Sequence, residues 1–140
     1  MKKKIVLVGG CFDLLHFGHI TFLQQAKALG DYLVVALESD ENVRRMKGDT
    51  RPIHTQAQRK EMLESLSFVN EVIPLPPMHN DKDYFELVRK IKPAVIAVTS
   101  GDSAKVKKLE QANKVRAVLI EIPKIHTPST SQLVKLLDLE

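Results

Sequence analysis

Ile5-Val6-Leu7-Val8-Gly9-Gly10-Cys11-Phe12-Asp13-Leu14-Leu15-His16-Phe17-Gly18-His19 joins an aliphatic run to an amphipathic one through a turn rich in glycine and histidine. The run Ile5 to Val8 is short, largely β-branched and without polar alternation, which predicts a central parallel strand covered on both faces. Gly9 and Gly10 end that strand in this reading, allowing φ values closed to other residues and a close ligand approach to bare backbone. From near His19 the apolar residues Ile20, Leu23, Ala26 and Leu29 recur at spacings of three and predict a helix that ends at Gly30. His16 and His19 then fall at or just before the first helical turn.

That position carries chemistry. A helix start offers unpaired N–H groups and a partial positive charge, worth roughly 0.3–1 kcal/mol to an exposed anion and about 2 to a partly buried one. If the turn is already helical, His16 and His19 share a face, both imidazoles aim at one phosphate, and Gly18 clears the space between them. The stretch fits neither the P-loop nor the dinucleotide-binding glycine pattern, which turns the reading away from nucleoside triphosphate hydrolysis. The chain has one cysteine, Cys11, so a closed structural zinc site and an internal disulfide are disfavoured. The alternative reading of the histidine pair is as partly buried structural residues.

Strand, then Gly10-Cys11-Phe12-Asp13-Leu14-Leu15-His16-Phe17-Gly18-His19, then helix resembles the signature of the cytidylyltransferase-like nucleotidyltransferases, with His16-Phe17-Gly18-His19 as the H-x-G-H element. The resemblance implies that the two histidines stabilise the α-phosphate of a nucleoside triphosphate during in-line attack. Gly9, Gly10, Cys11, Phe12 and Gly18 are assigned to the nucleotide and Asp13 to the substrate. Cys11 is read as a small filler, because other members carry threonine there.

At 140 residues the chain is read as one domain over residues 1–140, long enough to bury a core. Its 44% hydrophobic and 27% charged residues are ordinary for a globular domain, and no apolar run approaches the ~18 residues of a spanning helix. Met1-Lys2-Lys3-Lys4-Ile5 has the charge of a secretory n-region, but the apolar stretch breaks at Gly9-Gly10, so a cytoplasmic location is expected. A net charge of +4 spread along the chain suits a small anionic substrate better than nucleic acid or a membrane.

Further along, Tyr32 to Leu37 predicts a second buried strand ending in a polar turn, Glu38-Ser39-Asp40. The basic segment from Asn42 to Pro52 reads as a short helical piece and then an exposed loop at the carboxyl end of a parallel strand, where open α/β sheets bind ligands. Lys47 and Arg51 are therefore placed on substrate phosphates, with Lys47 in a catalytic role. Thr55 and Gln58 form a capping box for a third helix. Arg59 in its first turn is an unfavourable cation unless an anion binds nearby; the resemblance adds R-P-[IL] followed by a later arginine, here Arg51-Pro52-Ile53 and Arg59, and assigns Arg59 to substrate. Phe68 to Pro74 is a third strand, Asp83 the cap of a fourth helix, Ala94 to Val98 a fourth strand and Ala117 to Ile122 a fifth. Asp102 follows the fourth strand and either caps a helix or contacts nucleotide. Ser129-Thr130-Ser131, with Lys124 upstream on the substrate, opens the final helix as cap and second anion site; the resemblance assigns these hydroxyls to triphosphate oxygens.

The predicted fold is a doubly wound α/β domain with a five-stranded parallel sheet; the resemblance implies the order 3-2-1-4-5. It also implies nucleotidyl transfer from ATP or CTP to a phosphorylated small molecule, with magnesium held mainly by the triphosphate and the chain acting as a homodimer. For the acceptor, Lys47 to Ile53 resembles ADP-heptose-type adenylyltransferases. Leu29 to Ala36 and Val69 to Pro74 resemble glycerol-3-phosphate cytidylyltransferase, FAD synthetase shares the framework, and a non-catalytic nucleotide-binding regulator is the reading of another class.

Overall fold

The computed structural model describes residues 3–138, so Met1 and Lys2 of the basic start lie outside the described residues. The strands β1 (Ile5–Gly10), β2 (Tyr32–Leu37), β3 (Glu71–Pro74), β4 (Val95–Thr99) and β5 (Val118–Ile122) form one parallel sheet. Its order is β3-β2-β1-β4-β5, as expected. Between and after them run α1 (Phe17–Lys27), α2 (Asp40–Lys47), α3 (Gln56–Glu64), α4 (Asp81–Ile91), α5 (Lys105–Val115) and α6 (Thr130–Leu136).

Successive side chains of a strand point to opposite faces, and here both faces are covered. Val6, Val8, Leu33 and Val35 pack with Leu23 and Ala26 of α1 and Leu63 of α3. Leu7, Val34, Ala36, Ile96 and Val98 pack on the other side with Val88 of α4 and Ala112 of α5. That two-sided burial is why the runs 6–8, 33–37 and 95–98 hold no polar residue; each buried aliphatic side chain contributes roughly 1.5–3 kcal/mol.

The sheet divides where the chain reverses its winding. β1 pairs with β2 from Ile5↔Tyr32 through Gly10↔Leu37, but with β4 only at Val6↔Val95 and Leu7↔Ile96. Beyond Leu7 the two central strands part, leaving a crevice at their carboxyl ends, the switch point of an open α/β sheet.

Several local expectations are corrected. β1 runs through both glycines, and the left-handed residues are Phe12 (φ 47°) and Leu14 (φ 51°), not Gly9 or Gly10. Gly30 is required by close approach: a Cβ there would stand 2.5 Å from the Lys4 carbonyl oxygen. β3 begins at Glu71, because Asn70 Oδ1 takes the Leu33 N–H at 2.8 Å in place of a ladder bond. Asn80, not Asp83, caps α4, its side chain accepting from Asp83 N. Glu38 and Ser39 are buried, Ser39 as the cap of α2.

Candidate active site

A cleft of about 1030 Å³ opens in the crevice, of a size suited to a small ligand. It is walled by the segments that leave all five strands.

α1 starts at Phe17, two residues earlier than its apolar spacing suggests, because His16 is the N-cap and His19 the third helical residue of a capping box. Gly18 N–H donates to His16 Nδ1 at 3.0 Å, and His16 N–H donates to His19 Nδ1 at 3.3 Å. Each ring therefore has its Nδ1 lone pair engaged by main chain, and the neutral tautomer carries its proton on Nε2. The rings stack with centroids 3.8 Å apart, and Phe12 lies edge-on to His19 at 5.5 Å. Burial, helped by His16 and Lys47 and opposed by Asp13, pushes His19 down to about 4. Burial lowers His16 as well. At neutral pH the pair presents two uncharged Nε2–H donors. Gly18 is needed beside them: a Cβ would stand 2.9 Å from His16 Cε1 and 3.0 Å from Thr127 Cγ2.

Gly9, Gly10, Cys11, Phe12, Gly18, His16 and His19 all line the cleft, as do Asp13, Lys47, Arg51, Asp102, Lys124, Ser129, Thr130 and Ser131. Burial raises the Cys11 thiol despite Lys47 nearby, which suits a neutral filler. Lys47 and Lys124 are exposed on the cleft and meet no carboxylate among the described residues.

Asp13 is 1% exposed. Its carboxylate accepts from Ile53 N at 2.7 Å, His54 N at 3.0 Å and Arg51 Nε at 2.9 Å. Burial opposes its ionisation, but those N–H groups and the Arg51 charge outweigh it and lower its pKa. The sequence assigns Asp13 to substrate; its geometry makes it the group that clamps the Arg51–His54 segment to the loop after β1. Arg51 Nη1 also donates to Ser131 Oγ at 3.4 Å, joining the start of α6 to the same loop.

Arg59 requires a larger correction. It is 1% exposed and is absent from the cleft wall. Its Nη1 donates to Cys11 O at 2.7 Å, Nη2 to Asp40 Oδ1 at 2.8 Å and Nε to His54 O at 3.1 Å. The anion that offsets a cation in the first turn of α3 is thus Asp40, with two carbonyls, rather than substrate.

Asp102 has its carboxylate engaged locally, by Ala104 N at 2.7 Å and Lys108 Nζ at 2.8 Å. Burial raises and these contacts lower its pKa, for a net decrease. Ser129 is the cap of α6. Thr130 Oγ1 donates to Leu14 O at 3.3 Å.

Sequence reasoning missed the cluster beside β2. Glu38, Met78 and Tyr84 line the cleft with Arg45, and Asn42, fully buried, ties them together. Glu38-Ser39-Asp40 reads only as a polar turn, and the partner that meets Glu38, Tyr84 of α4, lies 46 residues on.

The cytidylyltransferase-like family model matches residues 7–134. The chain is similar to the bifunctional protein HldE of Wolinella succinogenes, 41% identical over 95% of this chain and 27% of that protein. It is likewise similar to HldE of Campylobacter concisus, 39% identical over 96% and 27%. The chain thus spans about a quarter of the length of these curated relatives. Among solved structures it is similar to a lipopolysaccharide core biosynthesis protein from Thermoplasma volcanium, with TM-score 0.72, 26% identity, and coverage of 89% of this chain and 99% of that one. With the split parallel sheet and the histidine-capped helix at its switch point, the match over residues 7–134 means that this chain belongs to the cytidylyltransferase-like family.

Proposed function

We propose that the chain is a nucleotidyltransferase acting on a sugar phosphate, an adenylyltransferase of the ADP-heptose type. The observation that carries the reading is the stacked His16–His19 pair, whose main-chain bonds leave both Nε2–H groups as fixed donors at a helix start. In the proposed reaction an acceptor phosphate oxygen attacks the α-phosphorus of ATP, and the bond to the bridging oxygen breaks as pyrophosphate leaves. An acceptor phosphate is ionised near neutral pH, so no general base is needed, and rate comes from alignment and charge neutralisation. His16 and His19 donate to α-phosphate oxygens as charge builds, Lys47 neutralises phosphate charge, and Ser129, Thr130 and Ser131 border the triphosphate from α6. Lys124 adds positive charge on the cleft, Arg51, buried in its pair with Asp13, reaches toward the triphosphate only through Nη1 beside Ser131, and Asp102 orders the turn after β4.

Magnesium fits this reading as an ion carried by triphosphate oxygens and water. Among the described residues no group of three or more histidine, cysteine, aspartate or glutamate side chains is arranged to hold a metal. A sugar acceptor is supported by likeness to a protein of lipopolysaccharide core biosynthesis. A cytoplasmic location stays the expectation from the sequence pattern and a homodimer that from the family resemblance; no described helix is long and apolar enough to cross a membrane, and sedimentation tests the dimer.

The test is pyrophosphate release with ATP or CTP against aldose 1-phosphates, glycerol 3-phosphate and FMN. Release with ATP and an aldose 1-phosphate is expected. Nucleotide binding without release under every acceptor would favour a regulator, and release only with CTP and glycerol 3-phosphate would replace the acceptor named here.

A further inference from the structure

Glu38 sits at the carboxyl end of β2, 8% exposed and on the cleft wall. Tyr84 Oη, from α4, donates to it, lying 2.9 Å from Oε1 and 3.1 Å from Oε2. Asn42 Nδ2, from α2, donates to Oε2 at 3.0 Å and also approaches Met78 O and Tyr84 Oη, each at 3.1 Å. Asn42 Oδ1 accepts from Met78 N at 3.3 Å, so the amide's orientation is fixed by main chain. Burial and the Glu38 charge push Tyr84 up to about 12, which keeps its phenol a donor to the carboxylate.

The two donors leave this carboxylate unsaturated. A carboxylate has about four acceptor positions, and one hydroxyl shared between the oxygens plus one amide N–H fill about half of them. Burying such a group costs several kcal/mol unless its remaining capacity is met. A neutral amide would tie α2 to α4 at lower cost. What remains of Glu38's accepting capacity has the cleft to serve it. On the same stretch of wall Arg45, whose Nη2 donates to Met78 O at 3.0 Å, and Lys47 meet no carboxylate among the described residues.

From this juxtaposition we infer that Glu38, oriented by Tyr84 and Asn42, is the specificity-determining residue of the acceptor subsite, accepting a hydrogen bond from a sugar hydroxyl while Arg45 and Lys47 take the acceptor phosphate. The subsite therefore selects polyhydroxylated sugar phosphates over acceptors whose only strong feature is the phosphate. This rests on the proposed transferase reading and goes beyond it by naming what recognises the sugar. Hydroxyl recognition by a buried acceptor is discriminating because an analogue without the hydroxyl leaves the remaining accepting position of the carboxylate unmet.

Calorimetry with a non-hydrolysable ATP analogue present, using mannose 1-phosphate, a heptose 1-phosphate, their monodeoxy analogues, glycerol 3-phosphate and inorganic phosphate, tests the inference. Wild-type protein should bind one of the aldose 1-phosphates at least about tenfold tighter than glycerol 3-phosphate or inorganic phosphate, a difference of about 1.4 kcal/mol. Removing one particular hydroxyl should abolish most of that preference. In Glu38→Met, which fills the space without an oxygen acceptor, the parent sugar phosphate and that deoxy analogue should bind alike, with inorganic phosphate unaffected. A wild-type protein indifferent to every deoxy change overturns the inference without any variant, so a poorly folding Glu38→Met does not shield it. Equal deoxy penalties in wild type and Glu38→Met overturn it too. Pyrophosphate assays on the same protein and acceptors, with ATP or CTP in place of the analogue, separate the two readings: selective sugar phosphate binding with no release removes the transferase and keeps the subsite. Release only with glycerol 3-phosphate or FMN keeps the transferase and removes the subsite.

Discussion

His16→Ala and His19→Ala each remove one donor from the α-phosphate, and a lost donor to developing charge typically costs 10²–10³ in turnover. Pyrophosphate release should fall by about that factor in each variant while the far-ultraviolet spectrum stays native; near-wild-type turnover in either would take that histidine out of the mechanism. The two positions are not equivalent structurally. His16 also caps α1 through Gly18 N, so His16→Ala should lower stability by a further ~1 kcal/mol, the usual value of a lost cap. His16→Asn, which keeps a capping oxygen, should restore the stability but not the turnover. That contrast separates the two jobs of one side chain.

At the scale of elements, Arg59 and Lys47 mark what was legible. Short aliphatic runs and the Thr55–Gln58 capping box, present in the structure, are local signals, and they placed the strands and α3. Arg59 is buried by Cys11, 48 residues away, and by Asp40, 19 away, and nothing near it in sequence reports those partners. The left-handed Phe12 and Leu14 were equally invisible, since neither residue type favours that conformation. Arg59→Ala should therefore destabilise by more than about 2 kcal/mol, because it strips donors from two carbonyls. Lys47→Ala should stay within about 0.5 kcal/mol yet weaken substrate binding; denaturant melts beside kinetics distinguish the pair. The start of α6 carries a parallel division. Ser129→Asn should leave stability unchanged because asparagine caps as well as serine. Changing Thr130 and Ser131 together to alanine should weaken ATP affinity with α6 intact, since their protein partners stand at 3.3 and 3.4 Å, long enough to yield to phosphate oxygens. Unchanged affinity by calorimetry would leave them no ligand role.

For the whole molecule, the parallel sheet brings Cys11, Asp13, His16, His19, Tyr84 and Asp102, all with shifted pKa values, to one cleft, so the site's electrostatics should appear in global stability. His19 titrates at about 4 when folded against an ordinary 6.5. Between those values the unfolded chain binds a proton that the folded chain does not, so stability is fully present above 6.5 and falls as pH drops toward 4. At about 1.4 kcal/mol per pKa unit, the loss across that window is on the order of 3 kcal/mol. Asp13 and Asp102 act lower. Their folded pKa values lie below the ordinary 3.8, so their contributions hold above 3.8 and are lost as pH falls through the folded values. Acid unfolding should thus have two stages, an upper one from the stacked histidines and a lower one from the clamping carboxylates. His19→Asn keeps an oxygen where Nδ1 accepts the His16 N–H and removes the titration. Urea midpoints at pH 7, 5, 4 and 3 should show the upper stage flattened in that variant and the lower stage retained. An equally steep decline between pH 7 and 4 in His19→Asn would mean that the upper stage arises elsewhere and that the folded imidazole is not held neutral.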